Sequence, residues 1–148
     1  MEIVSLHMPM EISIEELNKL CRDTLIGVLG IRFTAFTDTT VNASMKITPT
    51  HHQPMGVVHG GALITLAETV GSGGSFLLVD PEEYTVMGSV VNSQHLSPAK
   101  EGILFATGVL RVKSDFKHIW DVEIRDEHDK LISISRVTNS IKPRKLEA

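Results

Sequence analysis

The chain has 148 residues, 42% hydrophobic and 22% charged, with Lys plus Arg 14 against Asp plus Glu 18 and a net charge of −4. That length suits one domain able to bury roughly two-thirds of its unfolded surface. The acidic balance gives no general pull toward nucleic acid or an anionic membrane. Cys21 is the only cysteine, which excludes an internal disulfide framework and a multi-cysteine zinc site. No apolar run approaches the ~20 residues that span a bilayer. Met1-Glu2-Ile3-Val4-Ser5 carries an acid where a secretory leader carries bases, so a cytoplasmic protein is expected.

In chain order, Ser13-Ile14-Glu15-Glu16 has the spacing of a capping box, and Leu17 and Leu20 continue it as a short helix to about Thr24. Ile31 to Ile47, rich in Thr, Val and Phe, reads as a hairpin turning at Thr37-Asp38-Thr39. A helix follows from His59-Gly60-Gly61 to about Leu78, since Leu63, Leu66, Ala67 and Val70 mark one buried face. Beyond Pro81 come strand-like runs Tyr84–His95, Ile103–Lys113, His118–Arg125 and Leu131–Ile141. In the third, Trp120, Val122 and Ile124 alternate with Asp121, Glu123 and Arg125, one face dry and one wet. Asp126 to Lys130 fits a hairpin connection. Strands grouped in a run rather than interleaved with helices predict an α+β domain over 1–148.

The long helix carries a second face, Thr65, Glu68 and Ser72. An ordinary solvated face would explain a lone Glu. Here, however, no Lys or Arg occurs between Met55 and Leu78, and the rest of the helix is apolar or small, as in a helix covered nearly all round. Glu68 is therefore a candidate base or nucleophile. Gly60 and Gly61 open the helix, where unpaired N–H groups and the dipole suit a developing oxyanion. Gln53 and His59 flank that end as donors to a carbonyl. Taken alone, His51, His52 and Gln53 read as exposed loop and His59 as a packed histidine. His59 and Glu68 stand nine positions apart, roughly 13 Å along a helix, so both cannot touch one carbonyl within one chain. A shared site would need a two-fold partner.

These residues resemble a family signature. Gln53-Pro54-Met55-Gly56-Val57-Val58-His59-Gly60-Gly61-Ala62, followed by Leu66-Ala67-Glu68, is similar to the motif of hotdog-fold acyl-CoA thioesterases. The branch is that of the hydroxybenzoyl-CoA, dihydroxynaphthoyl-CoA and phenylacetate-degradation enzymes. The resemblance covers about residues 12 to 141, including Val86-Met87-Gly88, Asn92 to His95, Lys100-Glu101-Gly102 and Trp120 to Ile124. It implies a long helix wrapped by an antiparallel sheet and hydrolysis of an acyl-CoA, with an aromatic acyl group favoured by the branch. It also implies a homodimer or dimer-of-dimers tetramer with its site at the dimer interface, and no cofactor beyond the CoA of the substrate.

By the same resemblance Glu68 is the catalytic carboxylate, as nucleophile or as general base. Gln53 and His59 contact the thioester carbonyl, and the Gly60 N–H stabilises the oxyanion. Ser72 lies near the attacking group, while Gly88, His95 and Ser97 line the acyl or pantetheine channel. Relatives place a basic loop with His, Gly and Arg before the Trp120 strand, against the CoA phosphates. This chain has Lys113-Ser114-Asp115-Phe116-Lys117-His118 there. Lys113 and Lys117, with Lys100, remain as point charges for phosphate, and both CoA and acyl-carrier protein stay open as the carrier.

A non-catalytic acyl-CoA-binding module on the same fold is the alternative. A hotdog hydratase ranks below it, because no Asp–His pair lies on the helix. Gly71-Ser72-Gly73-Gly74 follows no strand and is not a phosphate loop. His51, His52 and His59 have no metal-site spacing, so no metal is expected.

Overall fold

The computed structural model describes residues 10–145; the N-terminal segment read above for a secretory leader lies outside them. The capping box forms as its spacing predicts. Ser13 Oγ accepts the Glu16 N–H at 3.1 Å and Glu16 Oε2 accepts the Ser13 N–H at 2.8 Å, starting helix α1 (Ile14–Cys21). This helix is shorter than the expected run to Thr24. Thr24 instead caps a separate turn, α2 (Leu25–Val28), its Oγ1 accepting the Ile26 N–H at 3.2 Å. Gly30, at φ +67°, then reverses the chain into the sheet.

The hairpin pairs β1 (Ile31–Phe36) with β2 (Thr40–Lys46) around the expected turn. Asn18 of α1 anchors it by satisfying both the N–H and the C=O of Phe33, at 2.8 and 2.9 Å. After a short 3₁₀ turn at Pro49–His51 comes α3 (Gly60–Leu77). Four strands follow: β3 (Tyr84–His95), β4 (Ile103–Lys113), β5 (Lys117–Arg125) and β6 (Leu131–Pro143).

Together they form one six-stranded antiparallel sheet in the order β1-β2-β4-β5-β6-β3. The β2–α3–β3 connection thus carries α3 across the whole sheet. Among the described residues β3 is an edge strand whose one strand partner is β6, and a bulge at Ser89 interrupts that pairing between Gly88 and Val90.

The core lies between α3 and the inner face of the sheet, where Trp120, Met45, Leu66, Leu104, Ile124 and Val137 are fully buried. Close approach of helix to sheet rests on glycine. A β-carbon at Gly71 would lie 2.8 Å from Val137, at Gly73 2.6 Å from Phe33, and at Gly74 2.5 Å from Trp120. Carbons pack at roughly 3.5–4.0 Å, so side chains there would lift the helix. Gly108 of β4 makes the matching concession to Val70, at 2.6 Å. The Gly-Ser-Gly-Gly run is thus a packing seam. Of the helix residues only Gly61 is exposed, as the nearly continuous apolar character predicts.

Candidate active site

The N-terminal end of α3 collects hydrogen-bond donors. His59 is its N-cap, and Nδ1 accepts the Gly61 N–H at 2.8 Å. In the neutral ring that bond leaves the proton on Nε2, directed away from the helix as a donor. His59 is exposed, which corrects its reading as a packed histidine. The Gly60 N–H has no partner among the described residues. Gln53 sits in a tight turn closed by Gly56 at φ +79°. Its Oε1 accepts the Met55 N–H, so its amide NH₂ is the end left to donate.

His51, by contrast, is buried and structural, not exposed loop. Nδ1 accepts the Thr48 N–H at 2.9 Å and Nε2 donates to the Leu29 carbonyl at 2.7 Å, tying the loop to α2.

His95, at the end of β3, packs over this helix start. A β-carbon on Gly60 would lie 2.9 Å from His95 Nε2, so a side chain there would push the ring off the helix start. Ser133 Oγ donates to the Gln94 carbonyl at 3.1 Å and so accepts from His95 Nδ1, also at 3.1 Å. Beside them is a hollow of about 250 Å³ lined by Val57, Val58, Leu63, Leu96, Ser97 and Pro98. Gly60, His95 and Ser97 therefore belong to one cluster.

Glu68 belongs to another, midway along α3. It is half-buried, and no cation or hydrogen-bond donor pairs with its carboxylate among the described residues. Oε1 lies beside Gly88, where a side chain would meet the carboxylate and push it from this seat. Ser72, one turn further along the same face, donates to Asn139 Oδ1 at 3.3 Å. Asn139 Nδ2 donates to the Gly71 carbonyl at 3.1 Å and to Ser75 Oγ at 2.8 Å, and Ser75 also accepts the Trp120 indole N–H at 2.9 Å. Glu68, Ser72 and Gly88 thus meet over a buried polar chain.

Lys113 and Lys117 are in a third place, the β4–β5 turn at the C-terminal end of α3. Lys113 borders a hollow of about 290 Å³ with Leu78, Tyr84 and His118, whereas Lys117 is exposed at the start of β5, outside that lining. His118 is buried, its Nδ1 without a hydrogen-bond partner among the described residues, and burial, then the nearby Lys113 charge, pushes its pKa down to about 4. Among the described residues no three His, Cys, Asp or Glu converge as a metal site needs, and no helix is long and apolar enough to cross a membrane.

Within one chain, then, the donors at the helix start and the carboxylate are separate, Glu68 lying eight positions beyond Gly60 along the helix, as the spacing predicts. Sequence reasoning missed Asn139 and Ser75. A signal existed for Asn139: it shares the inward parity of Val137 and Ile141 on β6, so a polar side chain there had to be buried.

Comparison with known proteins agrees with this architecture. The family model described as thioesterase superfamily matches residues 55–133. The 1,4-dihydroxy-2-naphthoyl-CoA hydrolase of Escherichia coli is 35% identical over 133 residues, covering 88% of this chain and 96% of its own. A thioesterase from Haemophilus influenzae superposes with a TM-score of 0.89 at 32% identity, covering 95% of this chain and 99% of that one. A mutant thioesterase from Pseudomonas aeruginosa gives 0.88 at 34% identity, with coverage of 91% and 97%. With its long helix laid across one antiparallel sheet, the chain belongs to the thioesterase superfamily and has the hotdog fold.

Proposed function

We propose that the protein hydrolyses an acyl-CoA thioester to the free acid and CoA, at a site built by two subunits. The observation that carries this reading is the division of labour along α3: an unpaired carboxylate midway, and a cluster of free donors at its start. Neither half suffices alone. Both halves border β3, a twelve-residue edge strand with Met87 and Val90 exposed, the kind of edge that proteins usually cover.

In the proposed dimer two β3 strands pair antiparallel about a two-fold placed near Asn92, which would set the Gly88–Ser89 bulge of one chain opposite the partner's His95. Glu68 then faces the partner subunit's Gln53, His59 and Gly60. The carbonyl oxygen takes hydrogen bonds from the Gly60 N–H, the Gln53 amide and His59 Nε2–H, which strengthen as it becomes an oxyanion. Glu68 deprotonates a water that attacks the carbonyl carbon, and that proton goes on to the leaving thiolate. In the other route Glu68 attacks the carbon itself, expelling the thiolate, which is protonated from solvent, and water then hydrolyses the anhydride to the free acid and the carboxylate. The thiol leaves with a proton.

The acyl group takes the apolar hollow beside His95 and Ser97, and the E. coli relative's aromatic substrate supports an aromatic acyl group here. Lys113 and Lys117 meet the phosphates of CoA as local cations against a net charge of −4. The working unit is a homodimer, or a tetramer of two such dimers, with no metal and no cofactor of its own.

Free-thiol release from a panel of acyl-CoAs tests this. Glu68→Ala should lower turnover by roughly 10²–10⁴-fold, the range for a lost acid–base group. Equal rates would remove Glu68 from the chemistry, and saturable acyl-CoA binding without turnover would make the protein a binding module.

A further inference from the structure

Asn139 of β6 is fully buried beneath Ser72, and its neighbours leave it one orientation. The Gly71 carbonyl, 3.1 Å away, can only accept, so the amide nitrogen must face it. The second amide hydrogen goes to Ser75 Oγ, which also receives the indole N–H of Trp120, a group that cannot accept. Oδ1 is therefore the atom turned to Ser72 Oγ, and because an amide oxygen carries no hydrogen, Ser72 is the donor of that 3.3 Å bond.

Ser72 has one hydroxyl proton, and it is committed into the sheet. Only lone pairs remain for the side that Glu68 shares, one helical turn away. Asn139 is also the cross-strand partner of Gly88, the residue against which the Glu68 carboxylate rests. The base, the hydroxyl and the amide are thus stacked on one point of the sheet.

We propose that Asn139 is a positioning residue that fixes Ser72 as an obligate acceptor, so that a water between Glu68 and Ser72 donates one hydrogen to each. The inference rests on the thioesterase reading and chooses within it the general-base route. With both hydrogens engaged, the water turns a lone pair to the carbonyl carbon. Its oxygen bonds that carbon, the proton passes to Glu68, and collapse breaks the C–S bond as the thiolate takes a proton back. Without Asn139 the Ser72 hydroxyl rotates freely and donates to the Glu68 carboxylate instead, which competes with the water and weakens the base.

The test is a double-mutant cycle read on kcat, KM and Tm, with wild type, Glu68→Ala, Ser72→Ala, Asn139→Ala and the Ser72→Ala/Asn139→Ala pair. Each single change at 72 or 139 should lower kcat roughly 10- to 100-fold, the scale of lost positioning, with KM within about twofold. The pair should be no slower than the slower single variant, because both remove the same oriented hydroxyl, while their Tm losses accumulate. An equal kcat loss from Asn139→Ala in the Ser72→Ala background would overturn the inference, as would a rise in KM with kcat intact. Should Asn139→Ala not fold, Asn139→Leu, which fills about the same space and can accept no hydrogen bond from Ser72, runs through the same cycle with the same criteria. A wild type that does not hydrolyse thioesters, or a fully active Glu68→Ala, overturns the thioesterase reading together with this one. An active, Glu68-dependent wild type with additive kcat losses overturns this one alone.

Discussion

Histidines in this chain show how a single residue type is assigned by its partners. His51 has both ring nitrogens occupied and serves as a clamp, His59 spends one nitrogen on a helix end, and buried His118 has no partner for Nδ1 among the described residues. His118 has a consequence for stability. Its folded pKa of about 4 lies below the ordinary 6.5, so between those values the unfolded chain binds more protons than the folded one. Its contribution is complete above pH 6.5 and is lost as pH falls toward 4, amounting to about 3 kcal/mol when fully lost. Urea unfolding at pH 7.5, 6, 5 and 4 should therefore show a midpoint that falls more steeply for wild type than for His118→Gln. Parallel pH profiles would mean that His118 does not titrate in that window.

Among elements, α3 and β3 were the most legible from sequence in extent, whereas the first helix ended short of its expected bound. Periodic Leu63, Leu66, Ala67 and Val70 mark the helix, and Pro81 bounds it, because those signals are local. The alternation of β5 is equally local and holds in the sheet, with Trp120, Val122 and Ile124 inward. What stayed hidden was any property set by a distant neighbour. The Gly71, Gly73 and Gly74 seam looks like a weak point in a helix until Phe33, Trp120 and Val137 are placed against it. Gly74→Ala should raise intrinsic helix propensity yet destabilise the protein by about 1–3 kcal/mol, because its methyl meets the Trp120 ring. Chemical denaturation decides between the two effects, and a stabilised variant would mean that the helix can shift without loss.

At the scale of the whole molecule, the carboxylate and the donors were each readable in the sequence, together with the distance that separates them. For the two-chain site proposed above, only the need for a two-fold partner was legible, because one strand edge reveals its mate only through geometry. Subunit mixing tests the shared site directly. In the proposed dimer, Glu68→Ala and His59→Ala proteins each lack part of every site, and a mixed dimer restores one intact site while leaving the other doubly impaired. Random exchange of equal amounts should recover about a quarter of wild-type activity, since half the dimers are mixed and half their sites are whole. Activity that never exceeds the mean of the two parents would place both residues in one chain's site.

The position of β3 also orders events in time. Among the described residues its one strand partner is β6, so β3 (Tyr84–His95) completes that pairing only once the chain has been made as far as Pro143. While a ribosome adds about 5–20 residues each second, both edges of that strand stay bare, and such unpaired edges invite misassembly. Sheet closure must therefore precede subunit pairing. The surface we assign to the dimer is the last to mature, so damage to β6, far along the sequence from Glu68, would remove the scaffold of the active site and the means of completing it in a single step.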